Sequence, residues 1–282
     1  MSKRAEVASI PQPPVRLIIG NAPDIDPEVP LQSMMRLAQE LGPIFRLTFP
    51  KHSLLALSGH SLVAEVCDES RFEKTTKGAL DVLRDLGGDG LFTARNDEPN
   101  WGKAHRLLMP AFSPSAMRDY FDDMVDIADQ MLTKWERLGP EVSLDVSDNM
   151  TRLTLDTIAL CGFGYRFNSY YQNEMHPFVD SMVRALREAG RRSRRLPIQN
   201  RLMLSTTRQY ESDIEYLHSV TAELIKKRRK LAKEETPTDL LSRMLNARDP
   251  LTGETLDDDN IRNQLVTFLI AGHETTSGLL SF

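Results

Sequence analysis

The feature that most constrains the fold of this chain is its last segment, residues 258–282, whose pattern predicts one long helix. Aspartates at 257–259 favour a helix start, because carboxylates accept hydrogen bonds from the free N–H groups of a first turn. Residues 265–272 carry no charge, which predicts a helix buried on every side. Five polar residues, 273–277, follow and spread around the helix at about 3.6 residues per turn. Some must face the interior, and such a cluster more often serves chemistry than packing, because unpaired buried polar groups are costly.

The bulk composition excludes several classes of protein. The 282 residues include 35 Lys and Arg against 40 Asp and Glu, and a net charge of −5 argues against a nucleic-acid-binding protein. The 2 cysteines are too few for a disulfide framework and lack a metal-binding spacing. There is no run of about 18 apolar residues that would predict a membrane span, and no signal peptide. We expect a cytoplasmic protein with no integral membrane segment.

Periodicity and helix breakers predict a mainly α fold. Residues 1–30 are rich in Pro and acidic residues and predict an N-terminal arm, and residues 31–282 predict one domain. A helix at 31–41 precedes two short strands at 44–49 and 54–57. Further helices are predicted at 61–68, 78–86, 97–108, 115–138, 148–162, 176–190, 205–232, 238–246 and 258–282.

Several motifs resemble those of cytochrome P450 monooxygenases. Ala271-Gly272-His273-Glu274-Thr275-Thr276 resembles the oxygen-binding signature in the long central helix of that family. Three further stretches, 88–93, 101–106 and 150–157, resemble motifs of the same family. All of these motifs occur along the chain in the order in which the family has them. The similarity is particularly to reductase-fused, self-sufficient bacterial fatty-acid hydroxylases. The resemblance implies a P450 fold, truncated here, and an oxidoreductase that uses O2 to hydroxylate fatty-acid-like apolar substrates.

The resemblance also implies the cofactors and partners. The cofactor is haem b, and electrons come from NADPH through a flavin reductase, fused or separate; FAD and FMN are expected only if the reductase is fused downstream. The family's iron ligand is a Cys thiolate in a Gly-rich loop near the end of the domain. We assign neither Cys67 nor Cys161 to that role and expect the axial Cys beyond residue 282. We therefore expect the N-terminal part of a monooxygenase domain, inactive by itself.

By resemblance, Thr275 and Glu274 deliver protons during catalysis, and Ala271 and Gly272 contact the haem. In a helix the Thr275 hydroxyl can bond the carbonyl of Ala271 and open a groove for oxygen. Without the other motifs, the sequence of this helix is equally consistent with a structural role. In that interpretation it is a buried helix whose Thr and Ser hydroxyls bond their own backbone. A zinc-protease motif is excluded, because Ser277 stands where the second His is required.

Trp101 and His105 lie one turn apart on a predicted helix, and each carries an N–H donor. By resemblance they bind a haem propionate, with His105 in the place of the family's usual Arg, and Lys74 resembles a further propionate contact. Arg106 is adjacent but points about 100° away. The alternative is a core Trp with a solvated His beside it.

By resemblance, Phe92 lies over the haem, after the Gly-rich bend at 87–90, and controls which substrate carbon reaches it. Leucines of an apolar substrate tunnel are predicted at Leu80, Leu83, Leu86 and Leu186, although each also fits a core position. His52 or Lys51 is predicted to supply positive charge for a substrate carboxylate. Ala56 stands where fused relatives have a Tyr, which weakens the prediction of fatty-acid preference.

A run of six arginines fits a solvated loop, an acidic partner or a lipid surface; they are Arg187, Arg191, Arg192, Arg194, Arg195 and Arg201. A second function class is also open. In it, the chain is a haem-free helical binding module that hides its helix at 265–280 against a partner.

Overall fold

The computed structural model describes residues 9–26, 28–50, 52–193, 195, 200, 202–232 and 236–282. It confirms the mainly α fold, with one two-stranded antiparallel sheet in the described residues near the N-terminus. The chain divides into two compact units, Met1–Glu73 and Lys74–Phe282. A boundary at residue 30 stays a prediction. None of the helices in these described ranges is long and apolar enough to cross a membrane.

The first unit is built around a β-hairpin that packs on a helix. It contains α1 (Pro30–Leu41), β1 (Ile44–Thr48), β2 (Ser53–Leu57) and α2 (His60–Val66). The predicted strand pair is confirmed, with Ile44 opposite Leu57. Alternate residues of β1 face α1, so that Phe45 and Leu47 form a small core with Leu37.

Asn21 joins the N-terminal arm to this hairpin. Its side-chain amide donates to the carbonyls of Pro13 and Pro14, both at 3.3 Å, and its Oδ1 accepts from the Thr48 N–H at 2.9 Å. These bonds satisfy a fully buried amide. The described part of the arm is therefore held by specific contacts to β1.

The second unit contains the remaining α-helices of the described residues. They are α3 (Ala79–Gly87), α4 (Pro99–Leu108), α5 (Pro114–Asp119), α6 (Phe121–Leu138), α7 (Val146–Phe163), α8 (Pro177–Arg192), α9 (Leu204–Arg228), α10 (Leu240–Asn246) and α11 (Asp258–Leu280). Side-chain N-caps begin five of these described helices, at Ser113, Asp145, His176, Asp239 and Asp257. Each cap accepts a hydrogen bond from a backbone N–H that would otherwise lack a partner.

The core of the second unit lies where α11 packs on α7. Leu155 and Ala159 of α7, and Leu265 and Leu269 of α11, are all 0% exposed and belong to one apolar cluster. Helices α8, α9 and α10 contribute to the same cluster, so α11 is covered by neighbours over its first half. This packing fixes the position of the polar motif at 271–276.

Two predictions about these helices were wrong in detail. The single helix expected at 115–138 is divided between α5 and α6 at Tyr120. There the backbone N–H of Tyr120 is directed to the carbonyls of Ala116 and Arg118, while its hydroxyl donates to the Ala111 carbonyl at 3.3 Å. The apolar run of α11 is also not buried on every side, because Ala271 is exposed.

Candidate functional site

The polar run of α11 divides between two faces of the helix. His273 and Ser277 are 3% and 7% exposed, which confirms that part of the run faces the interior. Glu274, Thr275 and Thr276 are exposed. The motif therefore presents a carboxyl and two hydroxyls on an accessible face, above a buried imidazole.

The bond predicted for Thr275 is present. Its Oγ1 donates to the carbonyl of Ala271 at 2.9 Å, and both residues are exposed. A hydroxyl that donates in this way still has lone pairs to accept a second hydrogen bond. Beside it, partial desolvation raises the pKa of the exposed Glu274, which favours the protonated carboxyl group that a proton donor requires.

Gly272 faces the neighbouring helix. A Cβ at this position would lie 2.7 Å from Cγ1 of Ile158 on α7. The small residue is therefore required for the close approach of α7 and α11, a reason that sequence reasoning missed. Its contact with haem stays a prediction, as does that of the exposed Ala271.

The hydrogen bond between His273 and α7 is made by the His273 backbone and not by its ring. Its carbonyl accepts from the Thr154 hydroxyl at 3.0 Å. Its Nδ1 is buried with no hydrogen-bond partner among the described residues. Burial lowers the pKa of His273 to about 4, against a smaller opposing effect of the Ile270 carbonyl, so the ring is neutral at physiological pH.

Lys74, Trp101 and His105 form a second cluster. The Trp101 and His105 rings stack with centroids 5.2 Å apart, and the Lys74 Nζ lies 5.6 Å from the Trp101 ring centroid. Lys74 also donates to the Leu91 carbonyl at 3.1 Å. Desolvation lowers the pKa of Lys74, and the carboxylate of Glu98 opposes this effect.

This cluster fits an anionic ligand. Within the described part of the chain, neither the Trp101 indole N–H nor the His105 ring has a hydrogen-bond partner, although both residues are half-buried. Arg106 does not join them. It points away, as predicted, and makes two bonds of 2.7 Å to the buried carboxylate of Asp249, whose pKa it holds well below the usual range.

Phe92 extends from a loop that packs on α11. Its ring is 56% exposed, while its carbonyl accepts from Lys74 at 3.5 Å and the preceding Leu91 N–H donates to Gln264 Oε1 at 3.0 Å. The predicted tunnel residues differ in burial. Leu80, Leu83 and Leu186 are half-buried, the last two against the main core, and Leu86 is in that core.

His52 lies in the first unit and stacks on Phe49 with ring centroids 5.2 Å apart. Lys51 lies outside the described residues. A role for either in holding a substrate carboxylate stays a prediction.

Sequence reasoning missed one aromatic pair. Phe112, which follows α4, stacks on Phe268 of α11 with centroids 5.8 Å apart, and Phe112 remains 49% exposed. Phe268 lies on the same stripe of α11 as Ala271 and Thr275, at steps of three and four residues. The pair extends the accessible face with apolar rings. The signal available in the sequence was the position of Phe112 just after the Trp101 helix.

The arginine run is partly internal. Arg192 stacks on the Tyr210 ring at 4.1 Å, and Arg195 pairs with the buried carboxylate of Glu188 at 2.6 Å, so these two do not belong to a free basic loop. Arg187 and Arg191 are exposed. Arg194 and Arg201 lie outside the described residues.

The cysteines differ in environment. Cys161 is buried, and desolvation raises the pKa of its thiol to about 12, which opposes the thiolate that an iron ligand requires. Cys67 is exposed at the end of α2 in the first unit.

Comparison with known proteins places these features in a family. The sequence profile of cytochrome P450 matches residues 10–282. The chain is 55% identical to "Bifunctional cytochrome P450/NADPH--P450 reductase 2" of Bacillus subtilis and 54% identical to a bifunctional cytochrome P450/NADPH–P450 reductase of Bacillus cereus, in each case over 98% of this chain and 26% of the relative. A self-sufficient cytochrome P450 monooxygenase of Penicillium expansum is 48% identical over 98% of this chain. The chain thus spans about a quarter of the length of these relatives.

Proposed function

Because the chain belongs to the cytochrome P450 family, we propose that it forms part of a haem-thiolate monooxygenase that hydroxylates fatty-acid-like apolar substrates. O2 is the oxidant, and a flavin reductase with NADPH supplies the electrons, as the names of the bifunctional relatives suggest. When bound, the haem supplies O2 activation. In this proposal, residues of this chain would hold the haem, orient the substrate and move protons.

The observation that carries the proposal is the accessible face of α11. Thr275 bonds the Ala271 carbonyl at 2.9 Å and keeps acceptor capacity, and Glu274 stands next to it with a raised pKa. In this arrangement the Thr275 Oγ1 accepts a hydrogen bond from a proton-donating group and holds that group in place. Glu274 then replaces the proton that is given up. Phe268 and Phe112 add apolar surface suited to a macrocycle and an apolar substrate.

The haem propionates would be held at the Lys74, Trp101 and His105 cluster. The indole N–H and the imidazole provide donors that no described residue uses, and Lys74 provides positive charge at 5.6 Å from the Trp101 ring. This donor set fits a carboxylate. Phe92, Leu80, Leu83 and Leu186, all in the second unit, would place the substrate chain.

The test is Thr275→Ala in the haem-loaded enzyme with its reductase. We expect oxygen and NADPH consumption to continue while most of the reducing equivalents appear as hydrogen peroxide instead of hydroxylated product. Thr276→Ala is the matched control, because Thr276 is an exposed neighbour on the same helix and we expect its coupling to stay near that of the parent. Unchanged coupling in Thr275→Ala would remove Thr275 from the mechanism.

The alternative function is a haem-free binding module that hides the helix at 265–280 against a partner. Among the described residues no specific contact favours it, whereas the Trp101 and His105 donors, which no described residue uses, favour a bound anion. Haem titration of the protein, followed by its absorption spectrum, separates the two.

A further inference from the structure

The loop that carries Phe92 is fastened to α11 by side-chain amides. The Asp89 carboxylate accepts from Asn100 Nδ2 at 2.7 Å and from Asn263 Nδ2 at 2.8 Å. The Asp89 carbonyl accepts from Asn260 Nδ2 at 3.2 Å. Three amides, from α4 and α11, therefore converge on one residue of the loop.

The amides on α11 have little freedom to move. Asn260, Asn263 and Gln264 are 1%, 7% and 0% exposed, and Gln264 Nε2 donates to Asn260 Oδ1 at 3.2 Å. Gln264 Oε1 then accepts from the Leu91 N–H, directly before Phe92. Buried amides cost stability unless they are satisfied, and here the loop provides a partner for each of the three.

Two glycines allow the close approach that these bonds need. A Cβ on Gly88 would lie 2.3 Å from Asn263 Nδ2, and one on Gly90 would lie 2.4 Å from the Thr267 hydroxyl. Gly88 also has a φ of +49°, in the left-handed region that favours glycine. The backbone before Phe92 is thus fixed closely against α11, while the Phe92 ring itself is largely exposed.

We propose that Asp89 and Asn263 are positioning residues that set where the Phe92 ring stands and thereby which carbon of an apolar chain is hydroxylated. The inference rests on the proposed monooxygenase function. Neither residue needs to touch the substrate, because both act through the backbone of the loop. Loss of the Asn263 amide lets the loop move away from α11 and gives the ring several positions.

The experiment compares Asn263→Ala, Asp89→Asn and the double exchange Asp89→Asn with Asn263→Asp in the haem-loaded enzyme. The probe is dodecanoic acid, and the readout is the ratio of its hydroxylated regioisomers. We expect Asn263→Ala to change this ratio several-fold. The double exchange should restore it, because an amide at 89 donates to a carboxylate at 263 while its oxygen still accepts from Asn100.

A second readout does not depend on turnover. We expect amide hydrogen exchange in residues 87–92 to accelerate in Asn263→Ala and to slow again in the double exchange, since the Leu91 N–H is protected by its bond to Gln264. Asn149→Ala is the matched control: Asn149 is also 7% exposed, but it bonds Trp135 at 2.8 Å and lies on α7. It should lower thermal stability and leave both readouts unchanged.

The outcomes separate the inference from the function beneath it. If the parent enzyme is active and Asn263→Ala gives the same ratio of regioisomers, the positioning role is overturned. The monooxygenase proposal is then unaffected. Failure of the double exchange to restore ratio and protection also overturns it. If the parent hydroxylates no apolar substrate, the proposed function fails and the inference fails with it.

Discussion

Protonation of the buried His273 ring is expected to lower the free energy of unfolding. Burial lowers its pKa from 6.5 to about 4, so the unfolded chain binds a proton over that interval and the folded chain does not. Stability is therefore complete above pH 6.5 and falls as the pH decreases towards 4, by about 3 kcal/mol in total. Urea denaturation at a series of pH values measures this loss.

His273→Gln isolates the contribution of His273, because it removes the titrating ring and keeps a polar side chain. Carboxylates that titrate in the same interval affect both proteins equally and cancel in the difference. We expect the variant to lose less stability than the parent between pH 6.5 and 4. Parallel curves for the two proteins would show that the ring is hydrated or paired when folded.

Single residues also show what the sequence can predict about the site. The bond from Thr275 to Ala271 follows from helix geometry alone, and the structure confirms it. The partner of Arg106 does not follow, because Asp249 is 143 residues away and only tertiary packing brings them together. The same limit applies to Asp89 and Asn263, which are 174 residues apart.

At the scale of elements, the packing of α7 on α11 makes Gly272 a sensitive position. Gly272→Ala gains helix propensity of about 1 kcal/mol, but its Cβ would lie 2.7 Å from Ile158 Cγ1, which is not the free end of a flexible chain. Overpacking of this kind costs about 1–3 kcal/mol, so we expect net destabilisation. Thermal or chemical denaturation measures the change.

Gly278→Ala is the matched control on the same helix. Apart from the neighbouring backbone of its own helix, no described atom lies within 4 Å of a Cβ placed there, so the substitution should stabilise the fold by about 0.5–1 kcal/mol. Combining Gly272→Ala with Ile158→Ala should cost less than the sum of the two single changes, because the second removes the obstructing carbon. Strict additivity would place the strain elsewhere.

The helices and strands were predictable where a periodic pattern of apolar residues was bounded by a Gly or Pro. The hairpin and most helices lie close to their predicted positions for this reason. The division at Tyr120 was not predictable, since 115–138 contains no Gly or Pro and the turn depends on a hydroxyl bond to Ala111. The exposed face of α11 was missed because apolar sequence does not reveal which neighbours are present.

Several large apolar side chains of the described residues are exposed at the end of α11 and on α6. Leu279 and Leu280 at the end of α11 are 76% and 48% exposed, and Phe121 on α6 is 60% exposed. Exposed apolar side chains of this kind promote association, because burying them removes apolar surface from water. We expect the 282-residue chain by itself to form concentration-dependent assemblies, measured by size-exclusion chromatography with light scattering.

Leu279→Gln should shift this equilibrium towards monomer, because it removes apolar surface from a helix end where Leu280 and Phe282 are also exposed. Leu251→Gln provides the control: Leu251 is 75% exposed, as Leu279 is, but it lies in a turn outside the helices. The size of the exposed side chain is then matched, and only its surroundings differ.

A monomer at every concentration that unfolds cooperatively and takes up no haem would favour the binding module over the monooxygenase. Association that added haem suppresses would instead favour the monooxygenase.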